Sequence, residues 1–547
     1  MRLEMQEVII SLCLVLLVIT GWRTLNWVWI RPKRLEKILR KQGYRGNSYR
    51  LLFGDLKDLG AAKLRAKTSS ISLSHDFLFR GAPTVYTATH KHGKKAFLWL
   101  GPKPLVYISE PDLVKEVLNK FHDFQKPRGG NPLSALLVTG LIDAEGDRWT
   151  KHRRIINPAF HLEKLKNMLP AFYLSCNDIM KKWEEMTSVE GQCEVDVWPY
   201  IETYTRDVIS RTAFGSSYTE GSKIFELQNE QSELVMPLSQ SVYLPGMRLV
   251  PHIFSVLSFF FQDTTSTKPS SDLISYCRFL PTKRNKRIKE IHNEVSIALR
   301  SIINKRLKAM EAGECIQGDL LGILLQSNSE EIKANKNMKS GLSVDDIIEE
   351  CKLFYLAGQE TTSTLLVWTM ILLSQHTEWQ ERAREEVLQT FGNRTPDIDG
   401  LNHLKILNMI LLETLRLYPA GVVLGRSISE DTKLGGTILP GGILLHLPFI
   451  LLHHDKEIWG NDAKEFRPER FSEGVLKATK GKAVFFPFSM GPRVCIGQNF
   501  AMLESKLAIA MILQRFSFVL SPSYIHAPYT IVTLHPQYGA PLTLKAL

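Results

Sequence analysis

Cysteine is scarce and irregularly placed: seven residues among 547, at positions 13, 176, 193, 277, 315, 351 and 495. An odd, scattered set excludes a disulfide framework and points to a reducing compartment. No internal repeat and no long low-complexity stretch is present, which excludes a solenoid and leaves room for one large compact unit. The formal charge is +12 and the pI near 9.2. No basic stripe with interleaved aromatics and no zinc or RNA-binding motif accompanies that charge, so nucleic acid is not expected as a partner. A paired His453-His454 invites a metal reading, but without a further ligand at suitable spacing it is read as structural.

The remaining composition, 44% hydrophobic and 23% charged, suffices for a large core. One long apolar run exists: residues 8–22 (VIISLCLVLLVITGW), extended over 24–30 after Arg23. Together they approach the roughly 20 residues a bilayer requires. Arg31, Lys33, Arg34, Lys37, Arg40 and Lys41 follow, with no small-residue cleavage site before them. The expectation is an uncleaved anchor over residues 1–30, a basic juxtamembrane linker over 31–48, and a cytosolic domain over 49–547.

Near the C-terminus the chain reads Phe488-Ser-Met-Gly491-Pro-Arg493-Val-Cys495-Ile-Gly497. Such a string arises by chance about once in ten thousand chains of this length. Gly491 and Gly497 permit a tight turn close to a flat ligand. Residues 498–515 carry apolar side chains at helical spacing, so Cys495 precedes a helix start, where dipole and free N–H groups favour thiolate. A cysteine so framed suits a haem-thiolate site, with Phe488 screening the sulfur and Arg493 available to a propionate.

Around this motif the pattern is mainly helical. Residues 97–100 and 105–109 form an early hairpin around Gly-Pro-Lys-Pro, and FSFVL, TIVTL and LTLKA return to β alternation near the end. The longest helix expected runs from Ser343 to about Gln375, and its middle is interrupted by Ala357-Gly358-Gln359-Glu360-Thr361-Thr362. Small residues, an acid and hydroxyls there are locally unfavourable. Thr377-Glu-Trp-Gln380 is a capping-box pattern opening a helix to about Phe391. The fold class is mainly α with small β-sheets segregated toward the two ends of the sequence.

Five motifs in order resemble those of the cytochrome P-450 family, over essentially the whole chain after the anchor: Trp149-Thr-Lys-His-Arg153, the Glu360-Thr361 helix, Glu413-Thr-Leu-Arg416, Phe466-Arg-Pro-Glu-Arg470-Phe471 and the cysteine string. The resemblance implies the cytochrome P-450 fold with one N-terminal transmembrane helix, haem b ligated axially by Cys495, and electrons from NADPH through NADPH-cytochrome P-450 reductase. It implies that Glu360 and Thr361 manage protons over the distal face. Trp149, Arg153 and Arg426, with Arg493, would hold propionates, and Glu413, Arg416 and Arg470 would form a buried fold-stabilising network. Arg148, Lys151, His152 and Arg154 are read as a basic docking face. Pocket-lining positions by the same resemblance are Leu136, Leu137, Ala357, Val422, Val423, Ile531 and Val532.

Finer resemblance, in Leu280-Pro-Thr-Lys-Arg-Asn-Lys-Arg287, Phe354-Tyr-Leu-Ala-Gly-Gln-Glu-Thr-Thr362 and Gly497-Gln-Asn-Phe-Ala501, is to the plant 72 family, whose members oxidise terpenoid scaffolds such as iridoids, triterpenoids and gibberellins. The chain departs from the pattern in three places. The hinge is reduced to Pro32, Ala420 stands where proline is frequent, and residues 249–277 look inserted after Leu244-Pro-Gly246. Two explanations of that stretch stand: residues 253–261 dip into the bilayer, or the stretch is translated intron, which is preferred.

The resulting expectation is an endoplasmic reticulum, single-pass monooxygenase that uses O2 on a small hydrophobic substrate and rests on membrane lipid. A haem-thiolate hydroperoxide isomerase and a non-catalytic haem-binding partner are the alternatives, and retention of Glu360 and Thr361 disfavours both.

Overall fold

The computed structural model describes residues 2–69, 71–127, 132–188, 191–215, 218–239, 282–313 and 318–547. Residues 249–277, with both explanations offered for them, lie outside the described residues.

The chain begins with α1 (Arg2–Leu25), which passes through the π-helical turn Asn26–Ile30 into α2 (Arg31–Lys41). Leu12, Leu14, Val15, Leu16, Leu17, Val18 and Trp22 are exposed on α1. Among the described residues, however, no helix is long and apolar enough to cross a membrane. The transmembrane helix expected over residues 1–30 is thus not shown by the described residues; the apolar run 8–22 lies within α1, and Arg23 falls in its last turn. The stretch 31–48 is also more than a linker. Pro32, Leu35 and Leu39 bury one face of α2, and Tyr49 accompanies them.

Further helices used below are α3 (Gly146–Ile156), α4 (Val197–Phe214), α5 (Tyr218–Ser239), α6 (Lys283–Glu311), α7 (Val344–Gln375), α8 (Thr377–Phe391), α9 (Lys405–Leu417) and α10 (Gln498–Arg515). The strands are β1 (Arg45–Gly46), β2 (Ala96–Leu100), β3 (Lys103–Tyr107), β4 (Gln192–Asp196), β5 (Leu424–Ser427), β6 (Thr432–Leu434), β7 (Thr437–Leu439), β8 (Leu444–Leu447), β9 (Phe516–Leu520), β10 (Pro528–Thr530), β11 (Leu534–Pro536) and β12 (Pro541–Ala546). They pair as β1-β2-β3-β8-β5, β4-β12-β9, β6-β7 and β10-β11.

The early hairpin forms with Leu100 opposite Lys103, so its turn is Gly101-Pro102 alone and Pro104 lies within β3, opposite Trp99. TIVTL is not one strand. Thr530 and Leu534 face each other as the inner pair of the β10–β11 hairpin, and residues 531–533 form its turn. Strands are not confined to the chain's ends either, since β8 pairs parallel with β3 and antiparallel with β5, bringing residues 424–427 and 444–447 into the large sheet.

The main core surrounds α7, with α4 and α10 among its walls. A second core joins Leu35 and Leu39 of α2 to Phe97, Trp99, Val106, Leu445 and Leu447 of the large sheet. At the start of α7, Ser343 Oγ accepts the Asp346 N–H at 3.1 Å and the Asp346 carboxylate accepts the Ser343 N–H at 3.1 Å, a reciprocal cap. The 32-residue helix is continuous, which corrects the expected interruption, and spans about 48 Å. Gly358 serves packing here: a Cβ on it would lie 2.3 Å from Cδ1 of Ile209, where α4 crosses. At α8 the expected capping box does not form. His376 is the cap residue without a side-chain bond, and Gln380 instead donates to the carbonyls of Leu373 and Phe518 at 3.1 and 2.7 Å.

Candidate active site

The cysteine segment turns through Ser489 and Gly491, both at positive φ. A Cβ on Gly491 would meet Asn119 Oδ1 at 2.8 Å and the Leu118 carbonyl at 2.9 Å, so glycine is required by both conformation and space. Gly497 differs from expectation. Its φ is −87°, and the nearest protein atom to a Cβ would be Phe160 Cε1 at 3.9 Å. Cys495 donates its N–H to the Phe488 carbonyl at 2.9 Å and stands two residues before the N-cap of α10. Its side chain is reached by solvent although protein walls it on other sides. Burial raises its thiol pKa, opposed by the Gly497 N–H and the Arg153 guanidinium, so desolvation outweighs the expected helix-start effect.

The charged residues meet the same turn. Arg153 of α3 donates to the Val494 carbonyl at 2.9 Å, beside Cys495. Trp149, one turn earlier, is buried against Phe121, and the Arg493 guanidinium lies 4.8 Å from its ring centroid. Arg493 also donates to the Ala144 carbonyl at 2.9 Å and pairs with Glu145 at 2.5 Å. Arg426, on β5, is 1% exposed. It donates through Nη1 to the Gly425 carbonyl at 2.9 Å, while its buried Nε has no partner. Burial, then neighbouring Arg493, brings Arg426 down to about 10. Lys126 is brought down to about 7 by burial and by the charges of Arg426 and Arg493.

Cations thus gather where Glu145 and Asp143 are the nearby acids, and one buried guanidinium N–H is left unspent. Such a set fits a multiply charged carboxylate ligand, as haem propionates are. Lys126 and Glu145 were missed in the sequence. Glu145, four residues before Trp149, carries the only signal.

α7 packs against α10, which follows this turn, and Phe160, the residue nearest Gly497, stacks edgewise on Phe354 of α7. Between residues 346 and 375 only Ala357 and Thr361, one turn apart, are exposed, so this face opens where the rest of the helix is buried. Thr361 Oγ1 donates to the Ala357 carbonyl at 2.7 Å. The Glu360 carboxylate accepts from Thr533 Oγ1 at 2.9 Å, and Thr364 Oγ1 donates to Thr533 at 3.0 Å. Burial raises the Glu360 pKa, with Thr533 and Arg206 opposing. Thr533 is a further residue that the sequence did not mark, except as the neighbour of Val532.

The β10–β11 turn carries Ile531, exposed, and half-buried Val532 beside Thr533, which bonds α7, and Leu534 N donates to the Ala420 carbonyl at 3.2 Å. That bond joins the turn to the segment of Val422, which is buried, and Val423, which is half-buried. Leu137 is buried with Leu133, Val235 and Ile288, and Leu136 packs against them together with Leu356 of α7, the residue before Ala357.

Behind the site, Glu413, Arg416 and Arg470 come together. Arg416 contacts both carboxylate oxygens of Glu413 at 2.7 Å, and Arg470 Nε lies 3.4 Å from Glu413 Oε1. In the basic face of α3, Arg148 and Arg154 are exposed and pair with Asp346 and Glu331. Lys151 donates to the Gly341 carbonyl at 2.9 Å. His152 departs from expectation: it is fully buried, with Nδ1 at 2.5 Å from Glu350 of α7, because its side of α3 faces that helix. His453 accepts the Phe486 N–H at 3.0 Å through Nε2, and His454 Nε2 lies 2.9 Å from the Leu417 carbonyl.

The model of the family described as cytochrome P-450 matches residues 84–537. A relative from Panax ginseng, named cytochrome P-450 CYP72A219, is 63% identical over 543 residues, covering 99% of each chain. The 7-deoxyloganic acid hydroxylase of Catharanthus roseus is 51% identical over 551 residues and cytochrome P-450 72A15 of Arabidopsis thaliana 49% identical over 548, with full coverage of each chain. The chain belongs to the plant 72A group of the cytochrome P-450 monooxygenases.

Proposed function

We propose that this chain hydroxylates a hydrophobic terpenoid-type plant metabolite, holding haem b through Cys495 and receiving electrons from NADPH-cytochrome P-450 reductase. The observation that carries this is the gathering of Arg153, Arg426 and Arg493 at the Cys495 turn, with the buried Arg426 Nε unpartnered; the open Ala357–Thr361 face of α7 accompanies it. When bound, the haem-thiolate group supplies oxygen activation, the sulfur donating electron density that favours O–O cleavage.

The chain's own residues supply the rest. Phe488 fixes the Cys495 backbone through its carbonyl. Arg426 and Arg493 neutralise propionates, while Trp149 covers Arg493. Gly497 leaves the cofactor's approach free of a Cβ. The Thr361 hydroxyl, released from the Ala357 carbonyl, orients a water, and Glu360 passes protons to it, its pKa moved toward neutrality by burial. Ala357, Val422, Val423, Ile531 and Val532 contribute an aliphatic wall that takes an apolar scaffold.

One relative is named a 7-deoxyloganic acid hydroxylase, which supports an iridoid or related terpenoid as the substrate class. The exposed apolar side chains of α1, followed by basic α2, support attachment to the endoplasmic reticulum membrane with the catalytic unit in the cytosol. Microsomal co-expression with a plant reductase against a terpenoid panel tests the reading. A thiolate-type carbon monoxide spectrum with NADPH-dependent hydroxylated product is expected. That spectrum without NADPH-dependent product would favour the isomerase or carrier, and its absence would remove the haem-thiolate assignment.

A further inference from the structure

Three helices converge on one loop carbonyl. The Leu136 carbonyl accepts from Gln231 Nε2 of α5 at 3.1 Å and from Lys352 Nζ of α7 at 3.0 Å, and His292 Nδ1 of α6 lies 3.1 Å away. Lys352 is fully buried, and its ammonium also reaches Glu349 Oε1 at 3.0 Å and His292 Nδ1 at 3.3 Å. An ammonium has three N–H donors, and with Nδ1 as acceptor all three are used. The other Glu349 oxygen accepts the Thr139 N–H at 3.1 Å and the Thr139 hydroxyl at 2.7 Å. One carboxylate–ammonium pair on α7 therefore grips the loop at both Leu136 and Thr139.

This grip adds direction to apolar packing. The loop has the short 3-10 turns Ser134–Leu136 and Gly140–Ile142; Leu133 and Leu137 are buried with Val235 and Ile288, where Leu356 of α7 packs, and Leu141 reaches the main core. An apolar pair could have filled the space of Lys352 without the desolvation cost of a buried charge. Its polar ties instead fix direction and register. Lys352 precedes Ala357 by five residues, about 7.5 Å along α7, so the loop is referenced to the same helix that carries the open face.

We propose that Lys352, with Glu349, is a positioning pair that fixes the 133–142 loop, together with α5 and α6, over the substrate pocket and so determines which bulky ligands it admits. The inference rests on the haem-monooxygenase reading for the position of the pocket, but not for the loop's attachment. Two readouts separate these. Imidazole, small enough to need only the iron, and clotrimazole, whose bulk must pass under the loop, are titrated spectrally against the wild-type holoenzyme and Lys352→Met. Amide exchange over residues 133–142 is followed in the same proteins, since it needs no ligand.

Expected in Lys352→Met are unchanged imidazole affinity, a change in clotrimazole affinity of about tenfold or more, and about tenfold faster exchange at Thr139. Lys352→Arg should restore most of the protection. Unchanged clotrimazole affinity or unchanged exchange in Lys352→Met would overturn the proposal. Should Lys352→Met not fold, Thr139→Val removes one tie while keeping volume, and wild-type exchange of its neighbours would equally overturn it. Failure of wild type to bind imidazole would instead count against the haem reading.

Discussion

Arg416 lays the edge of its guanidinium along the Glu413 carboxylate, Nε to Oε2 and Nη2 to Oε1, both at 2.7 Å and both side chains fully buried. Its remaining donors reach the carbonyls of His453 at 2.8 Å, Ala463 at 2.5 Å and Glu465 at 3.1 Å. All five N–H groups are thereby spent. Glu413 also accepts the Arg467 N–H at 2.9 Å. The pair ties α9 to the segment preceding the cysteine turn.

Arg416→Ala strands a buried carboxylate and three carbonyls, at a cost of about 3–5 kcal/mol. Arg416→Lys retains charge but cannot reproduce the two-point contact, and is expected to lie between. Both should lower the urea midpoint and the yield of haem-loaded protein. Soluble Arg416→Ala with full haem occupancy would contradict this.

Arg426 has the opposite character, since its buried Nε has no partner. A buried unpaired donor costs stability that a bound carboxylate returns. Arg426→Leu should therefore leave the unfolding midpoint of haem-free protein unchanged or higher while releasing haem about tenfold faster. Transfer of haem to an excess of a haem-scavenging protein measures the rate. Wild-type release from Arg426→Leu would place the propionate contact elsewhere.

Glu504 of α10 is fully buried, and burial raises its pKa well above the usual range, with Thr362 opposing. The folded state then holds a proton that the unfolded chain releases near pH 4.5. Between that pH and the folded pKa, stability falls as pH rises. Glu504→Gln removes the titration, so its melting temperature should gain on that of wild type between pH 5 and pH 8. A constant difference between the two across that range would show that Glu504 does not hold its proton.

The legible parts of the fold and site were those where few residue types can do the job. Ser343 was legible as the start of α7, and the structure adds that it and Asp346 cap the helix reciprocally. The cysteine segment was legible through Gly491, where neither conformation nor space admits a side chain. Strands β5 to β8, three or four residues each, were missed because runs so short show no alternation, and the pairing of β8 with β3 is long-range. Glu145, Lys126 and Thr533 were illegible for another reason. Their partners lie hundreds of residues away or in a turn whose path only the fold determines.

The Thr533 hydroxyl that donates to Glu360 gives the proton route a testable second member. In the proposed mechanism Thr361 orients the water, and loss of a positioned proton-transfer group costs about 10²-fold or more in rate. Thr361→Ala should thus form product at least tenfold more slowly while NADPH consumption persists, so that the ratio of product to NADPH falls. Thr533→Val acts differently. A hydrogen bond to the carboxylate favours its charged form, so removing it raises the Glu360 pKa further above its ordinary value. Because Glu360 must hold a proton to pass it on, the alkaline limb of the pH–rate profile should move upward in pH, with the plateau rate changed less than in Thr361→Ala. Glu360→Gln should abolish that limb. If Thr361→Ala remains fully coupled, or if the limb stays in place in both Thr533→Val and Glu360→Gln, protons reach the site by a path that does not include these residues.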